Sequence, residues 1–256
     1  MKETKIEWCD SSWNPLTGCN HGCEYCYARG IATRFRGCID SPTGETDKKL
    51  IVLDERLKAK TKEGKIINAA YPYAFTPTFH RYRLKHPQQK GLGKNIFVCS
   101  MADLFGEWVP DKWIQEVFDA CKAADNHRYL FLTKNPKRYI QLAEKRMLPE
   151  DDIFWFGTTA TDPNQEVFWS DNHHTFVSIE PILAPFGETD GYLVFKTDWA
   201  IFGAETGKRK NKVVPEKSWL EYAVDKFQKS GKAVFMKESL APIWGEPLIT
   251  QFPWSD

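Results

Sequence analysis

The chain has 256 residues, 42% of them hydrophobic and 14% aromatic, which is enough to build a sizeable core in one compact domain. Its 35 Lys and Arg against 34 Asp and Glu leave a net charge of +1, which excludes a global field steering it to nucleic acid or membrane. Seven cysteines, no apolar run of about 20 residues and no apolar stretch in "MKETKIEWCD" argue against a disulfide framework, a membrane span and a secretory leader, so a cytoplasmic protein is expected.

The first motif in chain order is "TGCNHGCEYCYARG", residues 17–30. Cys19, Cys23 and Cys26 are spaced C-x3-C-x2-C, and a helix start follows at "YARGIATRF". Three thiols this close suit a shared metal centre better than a packed core. A structural zinc ion takes four ligands, and Cys9 and His21, the candidates for the fourth, are poorly spaced for it. A 4Fe-4S cluster held by three cysteines keeps one iron open for an exogenous ligand. Cys9, Cys38, Cys99 and Cys121 read as packing thiols, with Cys9 or Cys38 also a candidate hydrogen donor. Of the ten tryptophans, most are expected in the core, and Trp13 and Trp108 near a substrate.

A polar, irregular insertion follows over about residues 38–93 of a single domain spanning 1–256. At its end "HRYRLKHPQQKGLGK" carries Arg81, Arg83, Lys85, Lys90 and Lys94 with no acid, and "GKRKNK" from Gly207 is a second basic run. Such runs are solvated surface or contacts to a nucleic-acid backbone.

From Asn95 onward, short apolar runs alternate with amphipathic segments. "NIFVCS", "RYLFLTK", "IFWFGTT", "TFVSIEP", "WAIFGAE" and "KAVFMKE" read as strands buried on both faces. Helices are predicted at "PDKWIQEVFDACKAAD", entering at Pro110, at "NPKRYIQLAEK", and at "PEKSWLEYAVDKFQKSG", stopping at Gly231. This order predicts an α/β protein, a partial or full parallel (β/α) barrel. Chemistry in such folds gathers at the ends of strands, here Ser100 and Asp103, Thr133 and Lys134, Thr158 and Thr159, Ser178 and Glu180, Glu205, and Lys237 with Glu238. Any one of these also reads as a strand stop or a helix cap. Glu180 is either a hydrogen-bond acceptor for a substrate or ribose hydroxyl or the ion-pair partner of Lys134 or Lys237. Lys134 suits a carboxylate or phosphate.

The arrangement C-x3-C-x-aromatic-C, here "CNHGCEYC", resembles the signature of the radical S-adenosylmethionine (SAM) superfamily. Most of the chain is similar to an uncharacterised phage-associated family of radical SAM-like proteins, through "IEWCDSSWNPLTGC", "IFVCSMADLFGEWVP", "YLFLTKNPKRY", "FVSIEPIL" and "IFGAETG". The resemblance implies a barrel of the radical SAM type, with Cys19, Cys23 and Cys26 ligating one 4Fe-4S cluster and SAM on the open iron. Reductive cleavage of SAM then gives methionine and a 5'-deoxyadenosyl radical that abstracts a hydrogen atom from substrate. It puts Tyr25 against the adenine. Ser100 and Asp103 stand in for the superfamily's Gly-Gly-Glu as acceptors for the methionine ammonium, with Thr133, Thr158 and Ser178 as further cofactor contacts. Glu180, Glu205 and Lys134 become the catalytic candidates, and a flavodoxin- or ferredoxin-like protein the external electron donor. A phage-encoded protein acting in the host cell is implied, with a modified nucleobase or nucleotide of DNA as substrate and an isomerase-type rearrangement as its reaction. The rival reading is a zinc-stabilised nucleic-acid-binding module with Cys9, Cys19, Cys23 and Cys26 as ligands.

Overall fold

A computed structural model describes residues 2–37, 50–89, 91, 93–186, 193–206 and 210–254. Cys38, Lys90 and the start of the second basic run lie outside the described residues. Two compact units emerge, one of residues 1–5 and 9–129, the other of residues 6–8 and 130–256. Among the described residues no helix is long and apolar enough to cross a membrane.

In the first unit the strands are β1 (Lys2–Glu3), β2 (Ser11–Trp13), β3 (Leu16–Thr17), β4 (Ile51–Leu53), β5 (Lys58–Lys60), β6 (Ile66–Asn68), β7 (Thr78–His80) and β8 (Asn95–Val98). The helices are α1 (Tyr27–Arg34) and α2 (Asp111–Lys122). β1 pairs antiparallel with β2, and β2 runs parallel to β8, Ser11 opposite Ile96 and Trp13 opposite Val98. All four residues of β8 are buried, as a two-faced strand requires. The insertion expected to be irregular instead holds ordered pairs. A small sheet has the order β3, β7, β4, and β5 with β6 forms a separate antiparallel pair. β5 and β6 are short, largely exposed strands of three residues each, which leave little hydrophobic alternation to read.

α2 forms where its pattern predicts, with Pro110 one position earlier than expected, as the N-cap. It buries Trp113, Ile114, Val117, Phe118, Ala120 and Cys121. Trp113 stacks on Phe79 at 4.9 Å between ring centroids. Trp13 is wholly buried, donates from Nε1 to the Arg83 carbonyl at 2.9 Å, and lies edge-on to Tyr129. It is a core residue, not the substrate neighbour expected.

Strand β9 (Arg128–Thr133) begins in the first unit and ends in the second. The second unit continues with α3 (Pro136–Glu144), β10 (Phe154–Thr159), β11 (His174–Ile179), β12 (Trp199–Phe202), α4 (Lys217–Lys229), β13 (Ala233–Met236) and α5 (Ala241–Trp244). Its sheet has the order β9, β10, β11, β12, β13, and β10 to β13 run parallel. The class is α/β with parallel strands, as the alternation predicted. The connections from β10 to β11 and from β11 to β12 carry no α-helix among the described residues. Val177, Ile179, Phe202, Val224, Phe227 and Met236 form the centre of this unit's core. Each apolar run buries both faces, worth about 1.5–3 kcal/mol for each large side chain.

His80 ends β7 fully buried, with the Thr17 hydroxyl 2.8 Å from Nε2 and the Tyr82 hydroxyl 3.3 Å from Nδ1. Burial, helped by the Arg83 charge, lowers its pKa from 6.5 to about 2. The unfolded chain takes up this proton near pH 6.5 and the folded chain resists it, so the stabilisation is whole above pH 6.5 and is lost as the pH falls toward 2. The loss is at most about 1.4 kcal/mol per pH unit. Urea midpoints measured between pH 7 and 4 should fall with acidity, and His80→Gln should flatten that slope.

Candidate functional site

The cysteine loop of the first unit is held from three sides. Gly18 has φ +87, and a Cβ there would lie 2.4 Å from the Thr76 carbonyl oxygen, so only glycine fits. Its N–H donates to the Met101 carbonyl at 2.9 Å, and the next N–H, of Cys19, donates to the Phe75 carbonyl at 3.2 Å. His21 Nε2 and Asp103 Oδ2 are 2.7 Å apart. At the far end of the loop the Tyr27 hydroxyl donates to the Ser100 carbonyl at 2.8 Å. Below α1, Ala28, Ala32 and Met101 pack with Cys26, Tyr71 and Phe75.

The segment that does this clamping follows β8 and is itself bent into position. Cys99 adopts a left-handed backbone with φ 61, a costly state for a side chain with a Cβ. The Asn14 side chain bonds both the Ser100 hydroxyl and, at 2.8 Å, the Met101 N–H. Asp103, 5% exposed, accepts the Phe105 N–H at 2.9 Å as well as facing His21. Ser100 and Asp103, expected to receive a cofactor ammonium, thus serve first to fasten the cysteine loop. Asn14 and Tyr27 were missed as functional positions, since nothing in their local spacing marks them, and His21, weighed only as a fourth zinc ligand, faces Asp103.

Cys19, Cys23 and Cys26 are free thiols of intermediate exposure. Cys26 is the N-cap of α1, and its Sγ accepts the Arg29 N–H at 3.4 Å. Cys19 accepts the His21 backbone N–H, which favours the thiolate, but burial outweighs it and pushes the thiol up to about 12. Negative charge on Asp103, Cys23 and Cys26 acts in the same direction as burial. Three thiols are the donor type that a thiolate-bound metal centre uses. Among the described residues, no group of three or more His, Cys, Asp and Glu side chains is gathered tightly enough to hold one metal ion. Tyr25 lies half-buried on the same loop. Trp108 meets His21 edge-on at 5.0 Å, and its buried Nε1 has no hydrogen-bond partner.

Arg81 donates to Glu116 at 2.8 Å and to Asp54 at 2.9 Å, and Arg83 donates to the Asn14 carbonyl at 2.8 Å and to the Ala70 carbonyl. Two cations read as solvated surface or as contacts to a nucleic-acid backbone are therefore engaged within the chain. Cys9 is buried ahead of β2.

In the second unit, the strand register lines up three chain positions. Ile179 is opposite Phe202, and Phe202 opposite Met236, so Glu180, Gly203 and Lys237 follow at one edge of three neighbouring strands. Lys237 Nζ donates to Glu180 Oε1 at 2.5 Å, the ion pair foreseen as one alternative for Glu180. A Cβ on Gly203 would stand 3.0 Å from Glu180 Cγ and Cδ, so the missing side chain clears the way for the bridge. Glu205 is buried and accepts the Val213 N–H at 3.3 Å. Thr133 accepts from the Asn135 N–H, and Thr158 from the Phe168 N–H, both at 3.0 Å. Ser178 is buried in β11, and Lys134 is half-buried just after β9. The Thr133 and Thr158 hydroxyls hold loops to their own strands.

The class defined so far is an α/β protein with a clamped three-thiol loop. Over residues 3–247 the chain matches the family described as Protein of unknown function (DUF5131), and it belongs to that family. No curated protein and no solved structure matches it.

Replacing Asp103 with Ala should cost about 1–3 kcal/mol by leaving His21 unpaired. It should also speed alkylation of Cys23 in the metal-free protein, while Asp103→Asn retains an acceptor and is milder; urea unfolding and timed iodoacetamide labelling read both. Gly203→Val should displace Glu180 from Lys237, which a crystal structure of the variant would show.

Proposed function

We propose that this protein is a radical SAM enzyme in which Cys19, Cys23 and Cys26 ligate one 4Fe-4S cluster with an iron left open for SAM. The observation that carries the reading is the clamped loop, with three free thiols within eight residues and backbone N–H groups already on two of them. When bound, the cluster and SAM supply a reductive C–S cleavage whose 5'-deoxyadenosyl radical takes a hydrogen atom from substrate. The chain's own residues have other tasks. Asp103 and His21 hold the loop, and the N–H groups of His21 and Arg29 donate to the sulfurs of Cys19 and Cys26. Tyr25 and Ser100 are the proposed contacts for adenine and for the methionine ammonium.

The substrate-holding set is Glu180 with Lys237, together with Lys134 and Glu205. Thr133, Thr158 and Ser178 support it as strand-end residues. A partial parallel (β/α) barrel of the radical SAM type is the finer fold that accompanies this reading. As substrate we propose a modified nucleobase or nucleotide of DNA, rearranged in the cytoplasm of a phage-infected host. The family resemblance supports that class, and exposed Lys85, Lys210 and Lys212 leave cations for a phosphate.

Anaerobic reconstitution should load about four irons per chain. Addition of SAM and dithionite should then release 5'-deoxyadenosine and methionine, and Cys23→Ala should abolish both loading and cleavage. A protein that keeps its iron yet releases neither product with nucleosides or DNA present would defeat the reading. One zinc per chain after strictly anaerobic purification would favour the zinc-stabilised module instead.

A further inference from the structure

We infer that a cavity at the starts of β10 to β13 binds a free aromatic α-amino acid, its ammonium on Asp198 and its carboxylate on Lys232. The cavity has a volume of about 800 Å³ and lies wholly within the second unit, and its lining includes Trp155, His174, Asp198, Lys232, Gln251 and Phe252. That volume is in the range of small-molecule sites. His174 opens β11 and Glu180 follows its end, so about 20 Å of strand separates this cavity from the edge that carries the bridge to Lys237. Its chemistry needs no cluster.

Two ions of opposite sign stand side by side there. Trp199 is opposite Ala233, so Asp198 and Lys232, one position ahead of each, are neighbours across about 5 Å. Asp198 Oδ2 is taken by Thr175, which donates from its N–H at 2.8 Å and from its hydroxyl at 3.1 Å, while Oδ1 accepts no hydrogen bond among the described residues. Lys232 Nζ donates to the Phe195 carbonyl at 2.7 Å, and among the described residues its other N–H bonds have no acceptor. Burial lowers the Lys232 pKa from 10.5 and the Asp198 charge opposes that, yet among the described residues no ion pair joins the two. A lone anion would meet the like charge of Asp198, and a lone cation that of Lys232. A ligand with ammonium and carboxylate on one carbon satisfies both at once and adds no net charge.

The wall selects the side chain of that ligand. Phe252 is 38% exposed, although its ring is held 5.6 Å from Trp199 and 5.3 Å from Phe235 between centroids. His174 stacks on Trp155 at 4.5 Å with 8° between the planes, and Trp254 meets Trp155 edge-on at 5.1 Å. The segment that carries Phe252 is tied down at Gln251. Its N–H donates to the Val234 carbonyl at 2.8 Å, its carbonyl accepts Trp199 Nε1 at 3.0 Å, and its Oε1 accepts the Val234 N–H at 3.2 Å. A fixed aromatic wall beside a polar pair gains the burial of an aromatic ring with little ordering cost.

The test titrates the full-length protein calorimetrically with L-phenylalanine, L-tryptophan, phenethylamine, which lacks the carboxylate, hydrocinnamate, which lacks the ammonium, and adenosine. L-Phenylalanine or L-tryptophan should bind saturably at one site per chain, and each single-charge analogue at least tenfold more weakly. Asp198→Asn, which keeps an acceptor for Thr175, should weaken L-phenylalanine at least tenfold and abolish its advantage over hydrocinnamate. Lys232→Met should abolish the advantage over phenethylamine instead. General damage to the fold would weaken every probe alike and would not give these two different changes of selectivity; if a variant fails to fold, the analogue series on the wild type decides alone. No saturable binding of either amino acid to the wild type overturns the proposal, as does equal affinity for L-phenylalanine and its two single-charge analogues. Tighter binding of adenosine also overturns it, since the occupant would then be a planar base.

Discussion

The bend after β8 is the constraint on which the candidate site depends. A cysteine loop eight residues long has too few internal contacts to fix three thiols by itself, and the entropy of ordering it must be met from outside. The left-handed Cys99 turns the chain back, Asn14 holds the turn, and Met101, Asp103 and Ser100 then meet Gly18, His21 and Tyr27 in succession. The strain at Cys99 is local, and the bonds it makes available are spread along the whole loop.

That arrangement gives the cysteine loop two kinds of support. Hydrogen bonds at Gly18 and His21 fix the path of the backbone, while packing of Ala28 and Ala32 against Met101 fixes the helix that Cys26 begins. The thiol of Cys26 thereby faces the positive end of α1, and Cys19 takes its N–H from within the loop. Burial disfavours the Cys19 thiolate, and the His21 N–H offsets only part of that.

Much of the fold was legible because strands buried on two faces need unbroken apolar runs. "RYLFLTK" and "IFWFGTT" can hardly be anything else, and they became β9 and β10. β2, a three-residue "SSW", and the exposed β5 and β6 carry no such signal. The cysteines were legible because their spacing is local. The bond between His21 and Asp103 spans 82 positions and could not be read from either neighbourhood. Nor does a strand-end hydroxyl declare its direction. Thr133 and Thr158 look like cavity residues in a sequence and turn to their own loops in the fold, where each hydroxyl accepts a backbone N–H.

The bridge over Gly203 has a consequence for what can approach that edge of the second unit. A salt bridge presents no net charge, so long-range attraction there is weak for anions and cations alike. Selection must occur at contact, by exchange: an incoming carboxylate or phosphate displaces Glu180 from Lys237, while a hydroxyl or ammonium group displaces Lys237 from Glu180. β12 contributes only clearance at that level. The edge would therefore discriminate by how well a visitor replaces one ion of a pair it finds already satisfied.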